Sequence, residues 1–291
     1  MEALENYSLL SRLFSTSLFS ELIRLGHSRL LKEIWNRSQV LSDFSSDSSF
    51  ADVINFAYSI LSKKYRNEYI YKNVLINKIL LGTHSLKTSY MISELPVASC
   101  KADMVILNGT STVYEIKTEL DSLNRLGRQI CAYKKAFDRI NVITTDKTSQ
   151  IREIEEMLPQ EVGILSLTSR GTIHTVRPSL SNINNIDKEV IFNILHKKEY
   201  LSIIKKHSGY VPNVPNTQIY DVAKAIFCEY PTKELHADMV EALKQRGEKM
   251  SSFILDIPKP LKALAIKSNF SAKERQRCLE LLSFHICDLI I

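Results

Sequence analysis

The chain has 291 residues, 44% of them hydrophobic, and a formal net charge of +6. That is apolar material for one large core or two modest ones, which excludes a disordered chain, while the positive balance suits a polyanionic partner without identifying one. No apolar run reaches the roughly 18–20 residues that cross a bilayer, and the start MEALENYSLL lacks the basic and apolar regions of a secretory signal; a cytoplasmic location with no membrane partner is expected.

Over residues 3–35, Leu9, Leu13, Phe14, Leu18, Leu22 and Leu30 recur at steps of three and four, which predicts two amphipathic helices broken near Gly26. Residues 42–49 (SDFSSDSS) have no apolar period and read as an exposed connection, with helix resuming at about Phe50. Residues 67–81 are again helical in pattern, and Gly82 tolerates the backbone that ends such a helix. The period then changes. Short runs rich in β-branched and aromatic residues at 89–97, 101–107, 111–118 and 139–145 predict strands, with one helical segment, 125–137, between the last two. A helical stretch at 149–158 precedes two further apolar runs, 163–167 and 172–176, that extend the sheet. Residues 178–185 and 209–216 read as linkers, and helices are predicted at about 187–207, 217–229, 232–246 and 271–290. The last starts at Ser271-Ala-Lys-Glu274, a spacing at which each side chain caps the other's free amide. The apolar end at 287–291 is expected to pack, inside the monomer or in a homo-oligomer. This order gives three regions: helical residues 1–62, a core at 63–178 and helical residues 179–291.

Cys100, Cys131, Cys228, Cys278 and Cys287 are odd in number and form no C-x-x-C pair, and the seven histidines show no paired metal-binding spacing. A disulfide framework and a thiolate zinc site are therefore not expected. The chemistry lies in acids and one lysine. Glu115 and Lys117 are two apart on a predicted strand and so share a face of the sheet. Asp103 faces Glu115 if Leu107 faces Ser111 around a three-residue loop, or if a bulge near Gly109 shifts the register. A tight two-residue Asn108-Gly109 turn would instead oppose Asp103 to Tyr114 and send Glu115 to the other face. If the carboxylates converge, they offer hard oxygen ligands for Mg²⁺ or Mn²⁺, with the carbonyl of Ile116 and waters completing the shell, and Lys117 orients a water or offsets charge on a phosphate. Taken alone, Glu115-Ile116-Lys117 reads as an ordinary solvent face with a short-range ion pair, a triplet that arises by chance in most proteins. Two features weigh against that. Gln129 and Tyr133 project together along one edge of the 125–137 helix, and Glu68 stands seven and eleven residues before Leu75 and Ile79, on the predicted core-facing side of its helix.

At these residues the chain resembles the PD-(D/E)XK nuclease superfamily. Lys101-Ala-Asp103 followed by Glu115-Ile-Lys117 matches its D…ExK pattern, with Lys101-Ala102 in place of the motif's proline, and Gln129-Ile-Cys-Ala-Tyr133 is similar to the Q-x-x-x-Y helix of the RecB-like and lambda-exonuclease-like branch. The resemblance covers about 67–145 and extends toward Arg177. It implies an α/β restriction-endonuclease-like core, a mixed sheet flanked by helices, with the N-terminal helices and the helical C-terminal region outside it. It also implies that Asp103 and Glu115 bind metal, with Glu68 at a position where the family often has a helix carboxylate. Lys117 then assists the attacking water, and Gln129 and Tyr133 support the site or touch DNA phosphates. The expected function is Mg²⁺-dependent hydrolysis of DNA, with Arg125, Arg128, Lys134 and Lys135 as candidate phosphate contacts and a role in bacterial or phage defence suggested by the family. The alternatives are a catalytically silent nucleic-acid-binding or partner-binding protein on the same scaffold, and an RNA-directed or structure-specific enzyme.

Overall fold

In a computed structural model that describes residues 2–82, 86, 88–246, 251–268 and 270–290, the helices of the N-terminal region begin where serines stand to cap them. After α1 (Glu2–Ser11) and a 3₁₀ turn at Arg12–Phe14, Ser15 accepts the Leu18 amide and starts α2 (Thr16–Leu25). Ser28 accepts the Leu31 amide at the start of α3 (Arg29–Arg37), and Ser49 that of Asp52 at the start of α4 (Phe50–Lys64). Residues 3–35 thus hold three helices instead of two, because Ser15 starts a helix that the leucine period does not reveal. The break at Gly26 stands, with φ of 79°. Asn67 caps α5 (Glu68–Leu75), which continues as a π turn at Ile76–Leu80.

The sheet has six strands in sequential order: β1 (Tyr90–Val97), β2 (Cys100–Leu107), β3 (Ser111–Lys117), β4 (Arg139–Thr145), β5 (Gly163–Leu167) and β6 (Ile173–Arg177). β1, β2 and β3 form an antiparallel meander, β3–β4 and β4–β5 are parallel, and β6 returns antiparallel. Parallel neighbours need a crossover connection, and α6 (Leu126–Lys134) and α7 (Thr148–Met157) supply the two that occur here. The fold is α/β, a mixed sheet flanked by helices. Every residue from Met104 to Leu107 is buried, as its unbroken apolar run predicts. On one face, Val105, Leu107, Val113 and Val142 pack into a single core with Leu126, Ile130, Tyr133 and Phe137.

Four more helices complete this core: α8 (Lys188–Ile194), α9 (Lys197–Ser208), α10 (Ile219–Phe227) and α11 (Thr232–Gln245). The single helix expected at 187–207 is two, because Glu199 accepts the His196 amide at 2.7 Å and opens a new helix there. Residues 178–185 are no loose linker. Asn182 is 2% exposed and donates to the carbonyls of Lys134 and Phe137. The strap passes so close to β5 that a Cβ on Gly163 would lie 2.7 Å from the Ser179 amide and 2.2 Å from Asn141 Oδ1.

The chain ends in α12 (Ser251–Asp256), α13 (Lys262–Lys267), α14 (Ala272–Leu281) and α15 (Ile286–Leu289). The reciprocal cap at Ser271 and Glu274 is present. α12 and α13 are too short for apolar periodicity to reveal. Leu289 is buried; Ile291 lies outside the described residues. Two compact units result, one of residues 1–79, 169–172 and 250–291, the other of 80–168 and 173–249. These divisions differ from the sequence boundaries at 62 and 178, since the C-terminal region is shared between the units. In the helical unit, Asn73 of α5 donates to the Lys259 carbonyl and accepts the Ala263 amide, which ties distant segments together. Among the described residues no helix is long and apolar enough to cross a membrane.

Candidate active site

The turn after β2 decides which side chains meet. Leu107 pairs with Ser111 and Met104 with Tyr114, so Asn108, Gly109 and Thr110 form the three-residue loop that the site requires. The Asn108 amide donates to the Thr110 carbonyl at 3.0 Å, and Gly109 has φ of 68°, a conformation in which a Cβ is strained. Carried one residue past Met104–Tyr114, this register sets Asp103 opposite Glu115. There the Ile116 amide donates to Asp103 Oδ2 at 2.8 Å.

Glu115, 1% exposed, is the centre of the cluster. Its Oε1 accepts from Lys117 Nζ at 2.6 Å and from Gln129 Nε2 at 2.5 Å, and its Oε2 lies 2.7 Å from the Tyr133 hydroxyl. Gln129 Oε1 in turn accepts from Lys117 at 3.0 Å, closing a ring of three side chains. The four-residue spacing on α6 brings the amide and the phenol down together, Gln129 half-buried and Tyr133 fully buried. Tyr133 also reaches the Lys101 carbonyl at 2.9 Å, so its one hydrogen is shared between two acceptors on neighbouring strands. Burial first, then the negative charges of Glu115 and Asp103, push its phenol well above the ordinary tyrosine value. It therefore stays a protonated donor. Directly opposed residues of an antiparallel pair point to the same side of the sheet, so this register puts Asp103 and Glu115 on one face.

Asp103, Glu115, Lys117, Gln129 and Tyr133 thus come together. Glu68 belongs to the helical unit, where its side chain is 54% exposed and paired with Lys72 at 2.6 Å. It does not face a core: the buried positions of α5 are Ile70, Tyr71, Lys72, Asn73 and Leu75. Arg125, Arg128 and Lys135 are exposed on or beside α6, whereas Lys134 is held by Glu161 at 2.6 Å. Among the described residues no three His, Cys, Asp or Glu side chains group so as to hold a metal. The donors present are two carboxylates and the Ile116 carbonyl. They fit Mg²⁺, which takes few protein ligands and keeps several waters.

Residues that sequence spacing did not single out hold the end of β3. The buried Thr144 hydroxyl donates to the Lys117 carbonyl at 2.8 Å, Asp121 accepts the Thr118 amide at 2.8 Å, and Gln150 donates to the Thr118 carbonyl at 3.0 Å. Only Thr118-x-x-Asp121 carries a local signal, a turn in which side chain replaces backbone partner.

At the other end of β3, His236 Nε2 lies 2.7 Å from Ser111 Oγ, which also accepts the Asp138 amide at 3.1 Å. Burial lowers the imidazole pKa of His236, against the opposing pull of Asp138. An imidazole whose folded pKa is depressed contributes full stability above its unfolded value of about 6.5, and loses it as pH falls through that value toward the folded one. Urea unfolding should therefore show a drop in stability between neutral and mildly acidic pH that is smaller in His236→Gln. An equal drop in both proteins would rule this histidine out as its source.

The family model described as bacteriophage P4 protein cII matches residues 61–268, more than half of the chain and all of the cluster around Glu115. Protein cII of Enterobacteria phage P4 is 26% identical over 163 residues, which are 55% of this chain and 54% of that protein. The chain spans about half the length of this curated relative. No solved structure matches it significantly. The extent of the family match shows that the chain belongs to the bacteriophage P4 protein cII family.

Proposed function

We propose that this protein is a Mg²⁺-dependent nuclease of the PD-(D/E)XK kind, acting on DNA. The observation that carries the reading is the convergence of Glu115, Lys117, Gln129 and Tyr133, with Asp103 hydrogen-bonded to the amide next to Glu115. The element order around them, a helix, three antiparallel strands, a helix and a strand parallel to the third, supports it as well. Asp103, Glu115 and the Ile116 carbonyl would hold the cation, which supplies Lewis-acid charge beside the scissile phosphate. Lys117 uses two of its three N–H groups on Glu115 and Gln129, leaving one to orient a water or offset charge building on a phosphate oxygen. Tyr133 donates to the other oxygen of Glu115, and the Gln129 amide bridges the pair. Arg125, Arg128 and Lys135 would grip the backbone, and binding then weakens steeply as salt rises.

A second reading, a silent nucleic-acid-binding scaffold, is favoured by one observation: Glu115 already accepts three hydrogen bonds. Incubation of linear, circular and single-stranded DNA with the protein, in Mg²⁺ and in EDTA, separates the two. The nuclease cuts in Mg²⁺ alone, and Glu115→Ala and Lys117→Ala, assayed below their unfolding transitions, do not. Equal cleavage by all three proteins, or none by the wild type, contradicts the reading.

A further inference from the structure

A carboxylate offers about four lone-pair sites, and Glu115 has committed three of them. Lys117 and Gln129 fill both sites on Oε1, and Tyr133 takes one on Oε2. One site on Oε2 is left for a cation to share end-on; a cation that is to bind through Oε1, or through both oxygens, must gain room from one of the donors. Tyr133 is poorly placed to yield, since it is fully buried, also tied to the Lys101 carbonyl, and packed against Phe137 with ring centroids 6.2 Å apart. Lys117 is 5% exposed, and its departure would leave a buried carboxylate without its counter-charge. Gln129 differs from both. It is neutral, it is the one member of the ring that is half-buried, and its amide touches each half of the ion pair, Nε2 on Glu115 and Oε1 on Lys117.

Building on the nuclease reading, we infer that Gln129 is a gate on the cation site and not a support for it. Rotation of this one side chain toward solvent frees a lone pair on Glu115 Oε1 and an N–H on Lys117 in the same movement. The buried ion pair and the tyrosine stay where they are. The closed ring is then the resting form of the site, and cation binding competes with the Gln129 amide. A supporting glutamine behaves oppositely: without it Glu115 loses orientation and binds a cation less well.

The sign of one binding measurement separates these. Mn²⁺ affinity, followed by the electron paramagnetic resonance of the free ion, is compared in the full-length wild type, Gln129→Met, Gln129→Ala and Asp103→Asn. Methionine keeps the volume of glutamine without its amide, and alanine guards against a change in packing at one variant. Loss of a hydrogen bond to a charged group predicts Mn²⁺ binding about tenfold tighter in both Gln129 variants, with the metal-free variants melting a few degrees below the wild type. Unchanged or weaker binding in both overturns the gate. If the wild type binds Mn²⁺ and Asp103→Asn does not, that same result leaves the nuclease reading standing. Absence of Mn²⁺ binding in every protein, the Gln129 variants included, overturns both.

Discussion

Lys117→Met is expected to lower the free energy of unfolding by about 3–5 kcal/mol, the usual consequence of removing one partner from a buried ion pair. Glu115 and Lys117 have side-chain exposures of 1% and 6% and meet at 2.6 Å, so neither charge has water to fall back on. Gln129 and Tyr133 still donate to the stranded carboxylate, but neither brings charge. The companion expectation is that Glu115→Leu with Lys117→Met together costs less than either change alone, because no charge is then left buried. Urea titration of the four proteins checks both points. Single-variant losses that simply add in the double variant would show that the two groups are not coupled.

The sheet was legible because its strands are unbroken runs of β-branched and apolar residues between turn formers. β4 and β5 keep their expected bounds, 139–145 and 163–167. The register of β2 on β3 was legible as a condition, since period-two alternation allowed one loop length to bring Asp103 to Glu115 and another to part them. Gln129 and Tyr133 were legible from the four-residue spacing of one helix. What escaped depends on longer range. Ser15 and His196 interrupt helices through local side-chain or backbone choices that leave the apolar period intact. Counting back from Leu75 and Ile79 puts Glu68 on their side of the helix, but Ile79 lies in a π turn whose phase differs from that of the helix, and Glu68 itself is the first helical residue. The sharing of the C-terminal helices between two units rests on packing that no short window contains. Nor does a motif show that Lys117, Gln129 and Tyr133 all choose rotamers that turn onto Glu115.

The second large effect concerns Asp103. Asparagine in its place keeps an oxygen to accept the Ile116 amide, the contact that Asp103 Oδ2 makes at 2.8 Å, yet it removes one of the two negative charges that would face the proposed cation. Structure and chemistry are therefore separated at this position in a way that substitutions at the buried ion pair do not allow. Loss of several kcal/mol of transition-state stabilisation corresponds to a rate fall of about 10³-fold. The measurement is the rate of linear duplex DNA cleavage in Mg²⁺ by wild type and Asp103→Asn, with the melting temperature of each recorded alongside. Matching melting temperatures and a variant slower by about 10³-fold are expected; cleavage by Asp103→Asn at the wild-type rate would contradict a cation-binding role for Asp103.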